Sequence, residues 1–148
     1  MSLFYADTSA LARAYLPDEQ DHDLLRDLLL EGEDPVITSE LTWLEFARAA
    51  GAAERVRRVR AAEVLLDEFD GDCTTEDGPV TLIALRVGPA FDLARDLVRR
   101  HPLGTLDALH LAVALTDGAD LADGDELVFV TRDAAQAEAA RAVGLGVR

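Results

Sequence analysis

The chain contains no lysine, no asparagine and a single cysteine, Cys73. A lone cysteine excludes an internal disulfide and any cysteine-based zinc site. The missing lysine is equally informative. Walker-type phosphate loops, receiver domains and haloacid-dehalogenase-like phosphatases each set a lysine beside a phosphate, and this chain has none to set there. No apolar run approaches the roughly 20 residues of a membrane span. Nor does the N-terminus show the basic segment and apolar stretch of a secretory leader. The expectation is a cytoplasmic protein with no membrane contact.

What is present is acid. The chain carries 29 acidic residues against 14 basic ones, for a formal net charge of −15, and every basic residue is arginine. Its 148 residues and 49 % apolar content suit one domain, residues 1–148, with a real core. No internal repeat or low-complexity linker divides it.

Apolar segments alternate in character along the chain. "LFYADTSAL", Leu3 to Leu11, opens with a short buried strand, and Ser9 is a candidate cap for a helix ending before Pro17. Asp21 to Leu30 has the apolar spacing of a second helix. "PVIT", Pro35 to Thr38, is a β-branched run leading into "SELTWLEFARAAG", with Ser39 as cap and Gly51 near the helix end. An Arg-rich helix is expected from about Glu54 to Phe69. "PVTLIAL" reads as a third strand, and Pro89 starts the helix "PAFDLARDLVRRH". "LDALHLAVAL", opened by Gly104 and Thr105, is apolar on nearly every side and should be buried. "ELVFVT" is a fourth strand, "DAAQAEAARAVG" the last helix and "GVR" a candidate edge strand. Asp70 to Gly78 and Asp117 to Glu126 are expected loops. Strands separated by helices imply an α/β fold with a mostly parallel sheet covered on both faces.

In such a sheet, ligands sit beyond the carboxyl ends of the strands. Four acids fall near that edge. Asp7 follows the first strand, Asp133 follows "LVFVT", and Asp107 lies in the first turn of the buried helix. Glu45 lies one turn into its helix, among Leu41, Leu44, Ala49 and Ala52. Carboxylates gathered without lysine need cations, and magnesium or manganese bound through oxygen is the simplest source. Each acid also has a local role open to it. Asp133 with Gln136 resembles a capping box, and Asp107 can complement its helix dipole. Asp7 can begin a turn, and Glu45 can pair with Arg48. None of these roles requires four acids at one edge. The joint pattern points to a site.

"FYADTSALARAYL", "SELTWLEFARA", "LGTLDALHLAVAL" and "VFVTRDAAQAEAARAVGLGV" resemble, in order, the four acidic motifs of PIN domains, with VapC-type toxins of toxin–antitoxin pairs the nearest kind. The resemblance implies a PIN-like three-layer α/β/α sandwich and the acidic quartet Asp7, Glu45, Asp107 and Asp133. It further implies Mg2+- or Mn2+-dependent cleavage of RNA, a homodimer and a cognate antitoxin. Asp7 and Asp107 are the expected main metal ligands, completed by Glu45 and Asp133 directly or through water. Thr8, Ser9 and Thr131 are expected to support the acids through their hydroxyls, with plain capping open to them as well. A basic antitoxin tail suits so acidic a pocket.

Other features have plainer expectations. His110, Trp43 and Phe46 should pack in the interior. The "ERVRRVR" segment and the Arg95, Arg99 and Arg100 face should be solvated, with phosphate contact the alternative. Asp18 and Glu19 receive no role. The net charge argues against an RNA partner, unless bound metal reverses the local sign or arginines gather on one rim. Two rival readings therefore stand: another metal-dependent phosphoesterase or DNA nuclease, and a non-catalytic module binding a basic partner.

Overall fold

The computed structural model describes all residues, 1–148. In chain order the elements are β1 (Ser2–Ala6), α1 (Thr8–Tyr15), α2 (His22–Leu29), β2 (Val36–Ser39), α3 (Glu40–Arg55), α4 (Ala62–Thr74) and β3 (Val80–Ile83). There follow α5 (Val87–Arg100), α6 (Thr105–Val113), a π-helical turn (Ala114–Gly118), α7 (Ala119–Ala122), β4 (Glu126–Val130), α8 (Ala134–Ala142) and β5 (Gly146–Val147).

The strands form one five-stranded sheet in the order β3-β2-β1-β4-β5, and every neighbouring pair is parallel. Successive side chains of a strand point to opposite faces. Leu3 and Tyr5 accordingly join Ile37 and Phe129 beneath α5, α6 and α8. Phe4 and Ala6 join Val36, Val80 and Val128 beneath α1 to α4. Two apolar layers on one sheet make the expected α/β/α sandwich. They differ in material: one is rich in alanine, which lets α5 and α6 approach closely, while the other centres on Tyr15, Phe46 and Phe69. Burying one such phenylalanine contributes about 1.5–3 kcal/mol.

From β1 the chain steps outward through β2 to β3, then returns to the other side of β1 for β4 and β5. The order reverses between β1 and β4, which opens a crevice at their carboxyl ends.

Several boundaries depart from expectation. Asp7, not Ser9, caps α1, accepting the Ala10 N–H at 3.0 Å. The Arg-rich stretch is two helices. α3 runs through Gly51 to Arg55, the chain turns at Arg57 (φ 61°), and α4 then extends to Thr74 inside the expected loop. Val56 and Val59 are weak helix formers, and Arg55/Arg58 and Arg57/Arg60 set like charges one turn apart. Arg58 is instead captured by Asp18 and Glu19, at 2.6 and 2.8 Å. α5 begins at Val87, because proline is tolerated throughout a first turn. Helix also persists past Asp117 to Ala122, ending where Asp123 and Gly124 adopt positive φ. Trp43 is not interior. It is 53 % exposed, because Thr42, Phe46, Ala50 and Ala53 take the core face of α3. Its indole N–H donates to Asp70 at 2.7 Å.

Candidate active site

The crevice holds a cavity of about 480 Å³ whose walls include all four acids. The corner after β1 contributes Asp7, Thr8 and Ser9. α3 contributes Glu45, Arg48 and Arg55, α6 contributes Asp107 and His110, and the cap of α8 contributes Asp133.

Asp7 is buried, at 3 % exposure, and its carboxylate is enclosed by donors. The Ser9 hydroxyl lies 2.8 and 3.0 Å from its two oxygens, the Thr131 hydroxyl lies at 3.0 Å, and the Ala10 N–H completes the set. Burial nevertheless dominates and holds the Asp7 carboxyl above its ordinary range, against the opposing pull of His110 and these donors. Ser9 Oγ also accepts the Arg132 N–H, and Thr131 Oγ1 accepts that of Asp133. The corners after β1 and β4 are thus stitched together.

Glu45 is held from the opposite wall. Its Oε1 accepts from the Thr8 hydroxyl at 2.9 Å and faces His110 Nε2 at 2.6 Å. Burial works to raise the Glu45 carboxyl, but His110, Thr8 and Arg48 outweigh it and leave it lowered. His110 Nδ1 meets the Tyr5 hydroxyl at 2.9 Å. Burial holds the Tyr5 phenol far above its usual range, so its proton stays on. Beside an ionised Glu45, the Nε2 proton of His110 faces the carboxylate whether the ring is neutral or charged. His110 packs as expected, yet it also orients a site acid.

Asp107 is half-buried and its carboxylate accepts no hydrogen bond from the protein. Burial raises its carboxyl, and the charges of Asp133 and Glu45 raise it further. Asp133 caps α8, accepting the Gln136 N–H at 2.8 Å. The capping box is only half formed. The fully buried Gln136 side chain turns away: its amide N–H donates to the Asp107 carbonyl oxygen at 3.2 Å, and its Oε1, 2.9 Å from Thr131 Oγ1, shares with Asp7 the single proton of that hydroxyl. Tyr5 and Gln136 escaped the sequence reading because one resembled core and the other a cap.

The acids supply hard oxygen donors; burial raises the Asp7 carboxyl, and burial with neighbouring negative charge raises that of Asp107. No three acidic, histidine or cysteine side chains close on one point as a complete metal cage. That set fits magnesium or manganese, which are held through one or two carboxylates and keep several waters. It does not fit an ion caged wholly by protein.

A family model for the PIN domain matches residues 4–142. The chain belongs to the PIN domain family. No curated protein sequence matches it significantly. Among solved structures, the PIN domain described here resembles VapC20 of Mycobacterium tuberculosis, described as a sarcin-ricin loop cleaving toxin. That match has a TM-score of 0.65 and 18 % identity, over 96 % of this chain and 95 % of the other. VapBC2 from Rickettsia felis, bound to a fragment of promoter DNA, matches with a TM-score of 0.64 and 12 % identity over 99 % and 97 %. FitAcB from Neisseria gonorrhoeae matches with a TM-score of 0.63 and 16 % identity over 97 % and 95 %. At these identities the likeness to this PIN domain is one of fold.

Proposed function

We propose that this PIN domain, a single domain over residues 1–148, is a metal-dependent endoribonuclease and the toxin of a VapBC-like toxin–antitoxin pair. The observation that carries the proposal is the convergence of Asp7, Glu45, Asp107 and Asp133 on one cavity at the reversal of the sheet. The family and the toxins among its structural neighbours support it. Asp7 and Asp107 would hold Mg2+ or Mn2+, with Glu45 and Asp133 completing the site directly or through water. When bound, the cation supplies an activated water and neutralises charge building on a phosphate. The chain's own groups do the rest. Ser9 and Thr131 fix the Asp7 oxygens, Thr8 and His110 fix Glu45, and the cap of α8 fixes Asp133.

No helix is long and apolar enough to cross a membrane; the proposed place of action is the cytoplasm, on RNA. The partners would be a second copy, docked through apolar helix faces, and an antitoxin whose basic tail enters the acidic pocket. Purified protein incubated with RNA and magnesium should cut internally and stop in EDTA, while Asp7→Asn and Asp107→Asn should not cut. Undiminished cutting by either folded variant overturns the assignment.

A further inference from the structure

A chain of net charge −15 repels RNA at long range, so a nuclease built on it needs local cations at the substrate's path. The arginines are not equivalent in this respect. Arg26, Arg58, Arg86, Arg100 and Arg132 each pair with an acid. Arg48 and Arg55 line the acidic cavity, are exposed, and form no ion pair although four carboxylates share that cavity. Both lie on the outer side of the α3 flank that carries Glu45 and Ala52, away from the core-facing row of Thr42, Phe46, Ala50 and Ala53. Ala49 and Ala52 line the cavity with them, leaving the surface low.

We infer that Arg48 and Arg55 form a phosphate rail, binding the RNA backbone as it leaves the acidic centre along α3. The rail rests on the ribonuclease role proposed above. Arg48 is one turn from Glu45 and so serves a phosphate beside the cut. Arg55 is two turns further, about 10 Å along the axis, and serves a more distant phosphate. Guanidinium forks suit phosphate oxygens bidentately; neither arginine is locked in an ion pair, although Arg48 is near enough to Glu45 to favour its charged form.

Binding is separated from cutting by measuring anisotropy of a fluorescein-labelled single-stranded RNA oligonucleotide in EDTA. Arg48→Gln and Arg55→Gln should each weaken binding about five- to tenfold and reduce the log–log salt slope by about 0.7. Arg99→Gln on α5, outside the cavity, should do neither. Arg55→Lys should recover part of the loss. With magnesium, Arg55→Gln should raise KM for the oligonucleotide by a larger factor than it lowers kcat. Unchanged binding and slope in both variants, an equal loss in Arg99→Gln, or no RNA binding by the wild type overturns the rail. Binding that depends on both arginines without any cutting leaves the rail standing and overturns the nuclease role.

Discussion

Asp7 and Asp107 face the same cavity and are held in opposite ways. Asp7 is buried, caps a helix and accepts from two hydroxyls and a backbone amide. Asp107 is half-buried and is repelled by Asp133. The Asp7 carboxylate is preorganised, so its direction is set by the fold. The Asp107 carboxylate is restrained only by its own helix, so it can adjust to whatever enters. If the two hold the proposed cation, one fixes its position and the other tolerates the change in coordination that a reaction imposes.

The largest test of this contrast replaces each acid by alanine and by asparagine. All four variants should lose cleavage by about a hundredfold or more, because each removes charge facing the transition state. Stability should separate them. Asp7→Ala should be about 1–2 kcal/mol less stable than Asp7→Asn in urea unfolding, since asparagine still caps α1. Alanine and asparagine at position 107 should unfold alike. A large gap at position 107 would mean that Asp107 is structurally fixed after all.

Metal binding comes next in size. At ten times its dissociation constant, magnesium should stabilise the wild type by about 1.4 kcal/mol. Asp7→Asn and Asp107→Asn should both respond less, which thermal melts with and without EDTA will read. An undiminished response in both places the cation elsewhere on the acidic surface.

Removing a support should cost less than removing a ligand. Ser9→Ala should lower stability by about 1 kcal/mol and cleavage by about tenfold, the scale of losing a group that orients a metal ligand. Wild-type cleavage in Ser9→Ala would show that Thr131 and Ala10 suffice to orient Asp7.

The finest test is pH. The folded Asp7 carboxyl lies above its ordinary value of 3.8, so folded protein holds that proton more tightly than unfolded protein. In metal-free wild type its contribution to stability therefore falls as pH rises from 3.8 through the raised folded value. Asp7→Asn has no such loss. Its melting temperature relative to wild type should be higher at pH 7 than near pH 3. A constant difference across that range would mean that burial does not penalise the Asp7 charge.

Local pattern was enough for the strands, the helix faces and the four acids at one sheet edge. Strand periodicity, β-branched runs and helix spacing are encoded by near neighbours, and parallel topology follows from their alternation. The break at Arg57 was not legible, because it depends on Asp18 and Glu19 capturing Arg58 from about forty residues away. Trp43 was misplaced for a related reason: which flank of α3 meets the core depends on what packs against it.

By itself, the sequence determined the chemistry available: no lysine, one cysteine, and carboxylates that follow strands or sit in the first two turns of helices. Only the tertiary structure decided which acid is rigid and which is free. Asp7 and Asp107 are the same residue type, each near a helix start. They differ because parallel pairing of β1 with β4 brings Thr131 onto Asp7, across 124 residues of sequence. The same pairing leaves the Asp107 carboxylate toward the open cavity with Asp133 as its neighbour. Burial and long-range hydrogen bonding are properties of the packed chain, and they, not residue identity, set each acid's direction and proton affinity.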